Sequence, residues 1–418
     1  MSPSRAGAAP WRVSLFAMVL AAAGLPVYIL LPRYATVEMG LNLATVGAIL
    51  LGIRILDVVQ DPALGRLIDA WRGGRDRLAL IGLGAMAAGF VLLFSIPAPV
   101  DPRLWLVMSL VLVFSGHSLA SILLYGDSEA LAGSAAAEAQ LRLSAWREAG
   151  GILGVIVAVV APASLPGSLG GFGWALAVLA VLAVLATRRI WSHAPRVRPA
   201  FALAPFLRSG GGWLLGLAVI NSLPVAITST LFVFFVEDHL RLTGQAGPFL
   251  LLFFAGAGAS LPGWSALARR RGARPVLLSG MLLAVVSFVW AGLVAPGAAI
   301  GFGLISMASG IAIGADLVIL PAVFASLLGR SGLAPNQSFG LWSFANKLSL
   351  PLAAATVLPA LQASGFVAGQ ANSAAADARL VLLYALVPCG LKLIAGGILL
   401  AMPRHIWTVA QPVAREAI

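Results

Sequence analysis

The sequence predicts an all-α membrane protein with twelve transmembrane helices, arranged as two six-helix halves. Three observations support this prediction: an apolar composition, many long apolar runs and a one-sided distribution of positive charge. Of the 418 residues, 60% are hydrophobic and 10% are charged, and the mean hydropathy is +0.98. Soluble chains carry roughly 25% charged residues. The composition therefore excludes a soluble enzyme.

The apolar runs are long enough to cross a bilayer as helices, which takes about 20 residues. They do not alternate between apolar and polar residues as the strands of a membrane barrel do. The 46 glycines and 25 prolines are scattered along them, as is usual in closely packed transmembrane helices. The predicted helices lie near residues 12–34, 43–69, 78–98, 104–131, 146–165, 172–190, 212–236, 247–269, 275–295, 298–328, 336–362 and 378–402.

The net charge of +12 reports the orientation of these helices. With the N-terminus inside, 20 of the 27 Lys and Arg residues fall on the cytoplasmic side and four on the other. Three lie within helices: Arg54, Lys347 and Lys392. An excess of basic residues on cytoplasmic loops is the normal signature of membrane topology. We therefore expect both termini in the cytoplasm and no binding of nucleic acid.

A long polar stretch separates the two halves. We predict an N-terminal six-helix bundle at residues 1–190, a cytoplasmic central loop at 191–211 and a C-terminal six-helix bundle at 212–418. A weak repeat supports this division, because a Gly- and Arg-rich segment follows the second predicted helix and a similar one follows the eighth. Such paired halves are typical of transporters built from repeats.

The second predicted helix carries three charges on one face. Arg54, Asp57 and Asp61 are spaced i, i+3, i+7, so they project from the same side of a helix. A charge at the bilayer centre costs roughly 2.5–3.5 kcal/mol, so these groups must face a polar cavity or partners. Two carboxylates one turn apart either hold a proton or share a cation. This pattern predicts a coupling site for H⁺ or Na⁺, with a purely structural Arg54–Asp57 pair as the alternative.

Other intramembrane charges have two interpretations each. If Lys347 faces the second helix, it balances Asp57 and Asp61 together with Arg54; otherwise it forms a static salt bridge. Lys392 is expected to snorkel or to pair with a polar neighbour. Asp316 either takes part in gating or pairs with a cytoplasmic arginine such as Arg330.

Aromatic residues are candidates for the cavity wall, because their ring faces can cover sugar rings or acyl chains. Tyr28, Tyr125 and Trp342 are predicted in this role. Helix packing or anchoring at the membrane interface is the alternative for each of them.

The segment from Gly65 to Arg75 resembles the loop signature of the major facilitator superfamily. Asp69, Arg72 and Arg75 stand at its signature positions. The resemblance implies the major facilitator fold and a gating role, in which these residues clamp the two halves in one state and release them in the other. In the second copy of the segment, Leu267 replaces the aspartate.

The run Arg54-Ile-Leu-Asp57-Val-Val-Gln-Asp61-Pro62 resembles the second helix of the glycoside–pentoside–hexuronide:cation symporters, the melibiose permease family. Arg147 in Arg147-Glu148, Asp316 and Lys347 agree with it. The resemblance implies that the two aspartates bind the coupling Na⁺, Li⁺ or H⁺. It also implies that Arg54, Arg147 and Lys347 border the substrate cavity.

This chain departs from the family pattern at two points. No acidic residue occurs between Met1 and Arg33, where the family has a sugar-binding aspartate. The family's aspartate in the fourth helix falls near Ser121, which we include in the predicted cation site. The absence of an acid at position 121 slightly favours H⁺ over Na⁺, and the missing acid in the first helix argues against a plain glycoside substrate.

The expected function is secondary active transport by alternating access. We expect a cation-coupled symporter of a small solute, sugar-like or amphiphilic, with H⁺ or Na⁺ as coupling ion and no cofactor. We also expect a monomer in the lipid bilayer of the bacterial cytoplasmic (inner) membrane. The alternatives are a proton-coupled efflux transporter and a sensor or assembly protein with a transporter fold. The sequence has no His-Glu-x-x-His pair, nucleophile elbow or phosphate-binding loop, so no enzymatic activity is expected.

Overall fold

The computed structural model describes residues 9–407, with the exception of residues 30, 32, 33, 36, 37, 42, 165–168, 189, 192–201, 332, 368 and 371. The side chains of residues 25–29, 43, 44 and 159–164 also lie outside the description. The described part of the chain is helical and contains no β-strand.

Twelve long helices occur in the described residues, at the places that the apolar runs predict, and the predicted fold class is confirmed. Nine of them are long and apolar enough to span a membrane; the other three, α1, α2 and α5, each include residues whose side chains are undescribed. The helices are α1 Pro10–Ile29, α2 Leu43–Ala70, α3 Arg75–Ser95, α4 Pro102–Gly126, α5 Ala137–Ser164, α6 Leu169–Thr187, α7 Gly211–His239, α8 Ala246–Arg271, α9 Ala273–Leu293, α10 Ala299–Ser331, α11 Pro335–Gln362 and α12 Ala374–Ala401.

The clearest difference from the prediction is the start of α5. The helix begins at Ala137, nine residues before the predicted start at residue 146. Its first turns carry Glu138, Gln140 and Arg142, which are polar and so lie outside the apolar run that located the helix. Arg147, expected at the opening of this helix, therefore lies in its third turn.

The first of two compact units comprises Met1–Ala135, Arg142–Ala202 and Leu328–Phe344. In it α3 packs against α4 and α6, and α4 also packs against α2. Small residues allow the closest approach: a Cβ added to Gly116 of α4 would lie 2.6 Å from the carbonyl oxygen of Gly82 in α3. Such small-residue contacts are the usual way in which membrane helices bring their backbones together. The first ten residues of α11 belong to this unit.

The second unit comprises Ala136–Leu141, Leu203–Leu327 and Ala345–Ile418. In it α12 packs against α7 and α9. Both α7 and α12 contain a π-helical segment, at Phe235–His239 and Leu382–Leu386. The rings of Phe235 and Tyr384 stack between these segments with centroids 4.0 Å apart. Ten of the 21 residues of the predicted central loop, residues 192–201, lie outside the described residues, so the predicted division at 191–211 stays a prediction.

Candidate functional site

Helix α2 presents two chemically different faces. Leu51, Ile55 and Val59 form an exposed stripe with 59–63% of their surface accessible. Asp57 and Asp61 lie on the buried face, 3% and 0% exposed. The exposed stripe is apolar, as a surface facing hydrocarbon must be. Both carboxylates therefore lie inside the protein, which the cost of a charge in lipid requires.

A hydroxyl group of α4 contacts the first carboxylate. Ser118 Oγ donates to Asp57 Oδ1 at 3.0 Å, and Ser115 Oγ donates to Gln60 Oε1 at 2.8 Å on the same pair of helices. Sequence reasoning missed Ser118 and chose Ser121, a half-buried residue one turn further along. Three serines, Ser115, Ser118 and Ser121, are spaced three residues apart along α4. This spacing is the signal that could have pointed to Ser118.

The second carboxylate lies where α2 meets the beginning of α11. A Cβ added to Gly340 would lie 2.6 Å from the backbone oxygen of Asp61 and 3.2 Å from Cα of Pro62. A Cβ added to Gly65, one turn further along α2, would lie 2.6 Å from the backbone oxygen of Asn336. Because both glycines lack a side chain, the two backbones approach closely. This gives Gly65, predicted as a gating residue, a specific role in the helix crossing.

Asp69, also predicted as a gating residue, binds the N-terminus of α11. Its Oδ1 accepts from Asn336 Nδ2 at 2.9 Å, and its Oδ2 accepts from the backbone N–H of Gln337 at 2.8 Å. The first N–H groups of a helix have no partner within the helix, and the positive end of the helix dipole attracts an anion. Asp69 therefore acts as an N-terminal cap supplied by another helix.

Arg75, at the start of α3, contacts the ends of both α2 and α4. Its guanidinium donates to the backbone carbonyl of Ile68 and lies 3.6 Å from Asp127 Oδ2 at the end of α4. Arg75 thereby ties the end of α2 to the end of α4. Arg72, the third charged residue predicted to take part in gating, is exposed.

Tyr125 and Arg147, both predicted to line the cavity, meet in a buried polar cluster. The guanidinium carbon of Arg147 lies 3.7 Å from the centre of the Tyr125 ring, a cation–π contact. Glu148 Oε1 accepts from both the Tyr125 hydroxyl and Arg147 Nε at 3.1 Å. Ser144 Oγ accepts from Arg147 Nη2 at 3.0 Å. The ring of Phe339, from the first turns of α11, lies 5.7 Å from that of Tyr125.

The remaining predicted cavity residues are spread over both units. Arg54 is half-buried on α2, and Trp342 is buried on the part of α11 that belongs to the first unit. Lys347 is half-buried and belongs to the second unit. The opposition of Lys347 to the α2 carboxylates stays a prediction. The side chain of Tyr28 lies outside the described residues.

The second unit holds a buried charge pair that the sequence did not predict. Lys392 Nζ of α12 donates to Asp316 Oδ2 of α10 and to Asn221 Oδ1 of α7 at 2.7 Å. The partner of Asp316 is thus Lys392, whereas the sequence suggested Arg330 as an alternative. Asp316 and Lys392 are 76 residues apart, so only the packing of α10, α12 and α7 brings them together.

The two α2 carboxylates provide hard oxygen ligands of the kind that Na⁺ and H⁺ both use. Within the described residues, no three His, Cys, Asp or Glu side chains lie close enough together to hold a metal ion. A Na⁺ ion at this site would therefore need oxygens from hydroxyls or backbone carbonyls in addition to Asp57 and Asp61. Ser118 is placed to be one of them.

The fold of the chain is similar to several solved transporter structures. A bacterial homologue of the iron transporter ferroportin, in an outward-facing state, has 15% sequence identity and a TM-score of 0.71, over 94% of this chain and 98% of that one. The E. coli fucose:proton symporter FucP has 14% identity and a TM-score of 0.67, over 92% and 97% of the two chains. The human organic anion transporter TETRAN has 17% identity and a TM-score of 0.61, over 96% and 100%.

At such low identities the likeness shows the fold alone, because one fold serves many functions. No curated protein matches the chain in sequence. The family described as MFS/sugar transport protein matches residues 13–403, which is nearly the whole chain. The chain is therefore a multi-pass membrane transporter of the major facilitator superfamily and belongs to the MFS/sugar transport protein family.

Proposed function

We propose that the chain is a cation-coupled symporter that moves a small solute by alternating access, with Asp57 and Asp61 as the coupling site. The single observation that carries this proposal is the burial of both carboxylates on one face of a transmembrane helix. Ionised side chains at this depth are costly, and two of them one turn apart resist joint ionisation. A bound proton or Na⁺ relieves both costs, so cation binding and the conformation of α2 are linked.

The surroundings of the site support a coupling role. Asp69 and Gly65 lie two and one turns beyond Asp61 on the same helix, and both contact the start of α11. A cation that changes the charge at Asp61 acts on the helix that forms this contact. The proposed route of coupling therefore runs along α2, from the two carboxylates to the Asp69 cap on α11.

The choice between H⁺ and Na⁺ depends on how many oxygens surround the carboxylates. Ser118 donates to Asp57, and a hydroxyl can stabilise a carboxylate or coordinate Na⁺. We propose H⁺ as the first candidate, because position 121 holds a serine where the family has an acid. Na⁺ is the second candidate.

The substrate that we propose is a sugar-like or amphiphilic small molecule. The family description names sugar transport, and FucP, which has a similar fold, is a fucose:proton symporter. The absence of an acid before Arg33 removes one group that would bind sugar hydroxyls. We therefore propose testing sugars and single-chain amphiphiles side by side.

The direct test is solute uptake into proteoliposomes under an imposed pH or Na⁺ gradient. Labelled monosaccharides, disaccharides and lysophospholipids serve as probes. We expect gradient-driven uptake of at least one probe by the wild-type chain and a loss of at least tenfold in Asp57→Asn and Asp61→Asn. A tenfold change corresponds to about 1.4 kcal/mol.

The matched control is Asp101→Asn. Asp101 is exposed and caps α4 by accepting from the backbone N–H of Arg103 at 2.8 Å, and asparagine caps a helix about equally well. The control variant should transport like the wild type. Uptake that ignores both gradients, or variants that keep full coupling, would reject the coupling site. Accumulation only in vesicles of the opposite orientation would indicate efflux, and no movement of any probe would favour a sensor or assembly role.

A further inference from the structure

We propose that Asp316 is a second proton-binding site, in the second unit, and that proton binding there releases the ammonium group of Lys392. This proposal goes beyond the proposed function, because it concerns different residues, a different unit and an event that does not require a transported solute. Its basis is the contact among Asp316, Lys392 and Asn221 and the surroundings of these three side chains.

The three side chains are the polar centre of an apolar region. Asp316, Lys392 and Asn221 are 7%, 6% and 5% exposed and come from three different transmembrane helices. Lys392 donates to both oxygens, Asp316 Oδ2 and Asn221 Oδ1. An ammonium held between two oxygens in this way is a cation bound at an oxygen site, and here the protein itself supplies the cation.

One oxygen atom of this triad accepts no hydrogen bond from the described residues. Asp316 Oδ1 is buried and has no hydrogen-bond partner among the described residues. A buried carboxylate oxygen without a donor carries a penalty, and a proton on that oxygen cancels the negative charge that makes this penalty large. This oxygen is therefore the position at which the second proton binds.

The charge balance of the pair determines the fate of Lys392. The Asp316–Lys392 pair is neutral overall, and adding a proton to Asp316 leaves an uncompensated ammonium in an apolar interior, which is costly. Lys392 must then move to water or to another anion. In this step a proton from water binds Asp316 Oδ1, the Lys392–Asp316 hydrogen bond breaks and Lys392 keeps all three of its protons. A proton from outside thereby replaces the ammonium group of Lys392 as the cation bound to Asp316.

Each of the helices that carry the triad contains a proline near it, which favours such a movement. Pro224 follows Asn221 by three residues and Pro321 follows Asp316 by five. Pro388 precedes Lys392 by four residues and lies just beyond the end of the π-helical segment of α12. A proline removes one backbone hydrogen bond from its helix, and π-helical segments are often found at functional sites.

The other titratable groups of the surrounding helices are few, and most of them lie near the helix ends. Helix α8 reaches α10 through Trp264, whose Nε1 donates to the Ile311 carbonyl, and α9 contacts Ala315 through Gly280. Cys389 lies one turn before Lys392 and contacts the Val285 carbonyl. In the described part of the second unit, α7, α8, α9, α11 and α12 carry further charged or titratable residues. Those near the helix ends are residues 237–239, 269–271, 274, 377 and 379, and those inside the helices are Tyr384 and Lys347.

The chain offers a direct readout, because Lys347 and Lys392 are its only two lysines. The full-length protein is labelled with ¹³C at the lysine Cε and studied by NMR in lipid nanodiscs, and Lys347→Arg assigns the Lys392 signal. We expect the Lys392 signal to shift in one step as the pH is lowered from about 9 to about 3, a range that includes the usual pKa of a carboxyl group and lies below that of a free amine. In Asp316→Asn, the step should disappear and the signal should stay at its low-pH position.

Two further variants separate this proposal from the proposed function. Asp57→Asn should leave the Lys392 step in place, even if it abolishes uptake, whereas Asp316→Glu should keep the step at a different pH. A Lys392 signal that is constant over the whole range in the wild type would overturn the proposal without any variant. A step that persists in Asp316→Asn would also overturn it.

Discussion

The two units of the chain each bury acidic side chains in a transmembrane helix, but they surround them with different partners. In the first unit, the neutral hydroxyl of Ser118 donates to Asp57, and Asp61 lies one turn away on the same face. In the second unit, the ammonium of Lys392 donates to Asp316. In the first site a neutral hydroxyl donates to a carboxylate, whereas in the second site the donor is an ammonium group.

This difference teaches that burial alone does not define a coupling site. A carboxylate beside a hydroxyl changes its charge when a cation binds, and the change acts on its helix. A carboxylate paired with an ammonium is neutral as a unit, so its charge state changes only if the ammonium leaves. Four sets of variants test this contrast, from the largest expected effect to the smallest.

The largest effect is expected when the charge pair of the second unit is broken. Lys392→Met should destabilise the chain by about 3–5 kcal/mol, because it leaves the carboxylate of Asp316 buried without its ammonium. The double variant Lys392→Met/Asp316→Leu should recover most of this loss, since apolar replacement of a buried pair is often neutral. Thermal unfolding in detergent measures both, and a double variant no more stable than the single one would contradict the pairing.

An intermediate effect is expected at the crossing of α2 and α11. Gly340→Val should cost about 1–3 kcal/mol, since a Cβ there meets the backbone oxygen of Asp61 at 2.6 Å and the helices must move apart. Gly301→Val is the matched control, because a Cβ at Gly301 meets nothing within 4 Å. Equal melting temperatures for the two variants would show that the crossing is looser than described.

A smaller effect is expected for the cap of α11. Asp69→Ala should cost about 0.5–2 kcal/mol, the usual value of an N-terminal cap, and Asp69→Asn should cost less. Hydrogen exchange of the Gln337 amide is the sensitive measurement, because this N–H donates to Asp69 Oδ2 at 2.8 Å. Unchanged exchange at Gln337 in Asp69→Ala would show that the cap does not form.

The smallest effect distinguishes the serines of α4. Ser118→Ala should change cation binding by about 1 kcal/mol, the net value of one hydrogen bond, which is about fivefold in apparent affinity. Na⁺ binding should weaken, because one oxygen ligand is lost, whereas H⁺ binding should strengthen, because the ionised carboxylate of Asp57 loses its donor. Ser121→Ala should change cation binding less. The reverse order would return the role to Ser121, the residue predicted from the sequence.

The sequence predicted the helices well because their signal is one-dimensional. Apolar runs located all twelve long helices of the described residues, and the spacing of charges along α2 placed Asp57 and Asp61 on one face, which is buried in the structure. The prediction was poorest where a helix is polar, as in the first turns of α5 from Ala137. Hydropathy does not detect such an extension, and it carries no sign of the π-helical segments in α7 and α12.

Side-chain partners were the part that the sequence could not supply. For Asp316 the sequence suggests either gating or a pair with a cytoplasmic arginine such as Arg330, whereas its actual partner, Lys392, is on α12. Ser118 was missed for a related reason, since its contact with Asp57 depends on the rotation of α4 against α2. Which side chains come into contact depends on which helices pack together and on how far each residue lies along its helix. The spacing of residues within one helix does not determine either of these.

The most direct test of the central claim is the melting temperature of the purified chain as a function of cation. A cation that binds only the folded protein at 100 times its dissociation constant stabilises it by about 2.7 kcal/mol. We predict that the melting temperature of the wild type responds to pH if H⁺ is the coupling ion and rises when NaCl replaces choline chloride if Na⁺ is, and that Asp57→Asn and Asp61→Asn lose this response while Asp101→Asn keeps it. A response of the same size in all four proteins would contradict the assignment of the coupling site to Asp57 and Asp61.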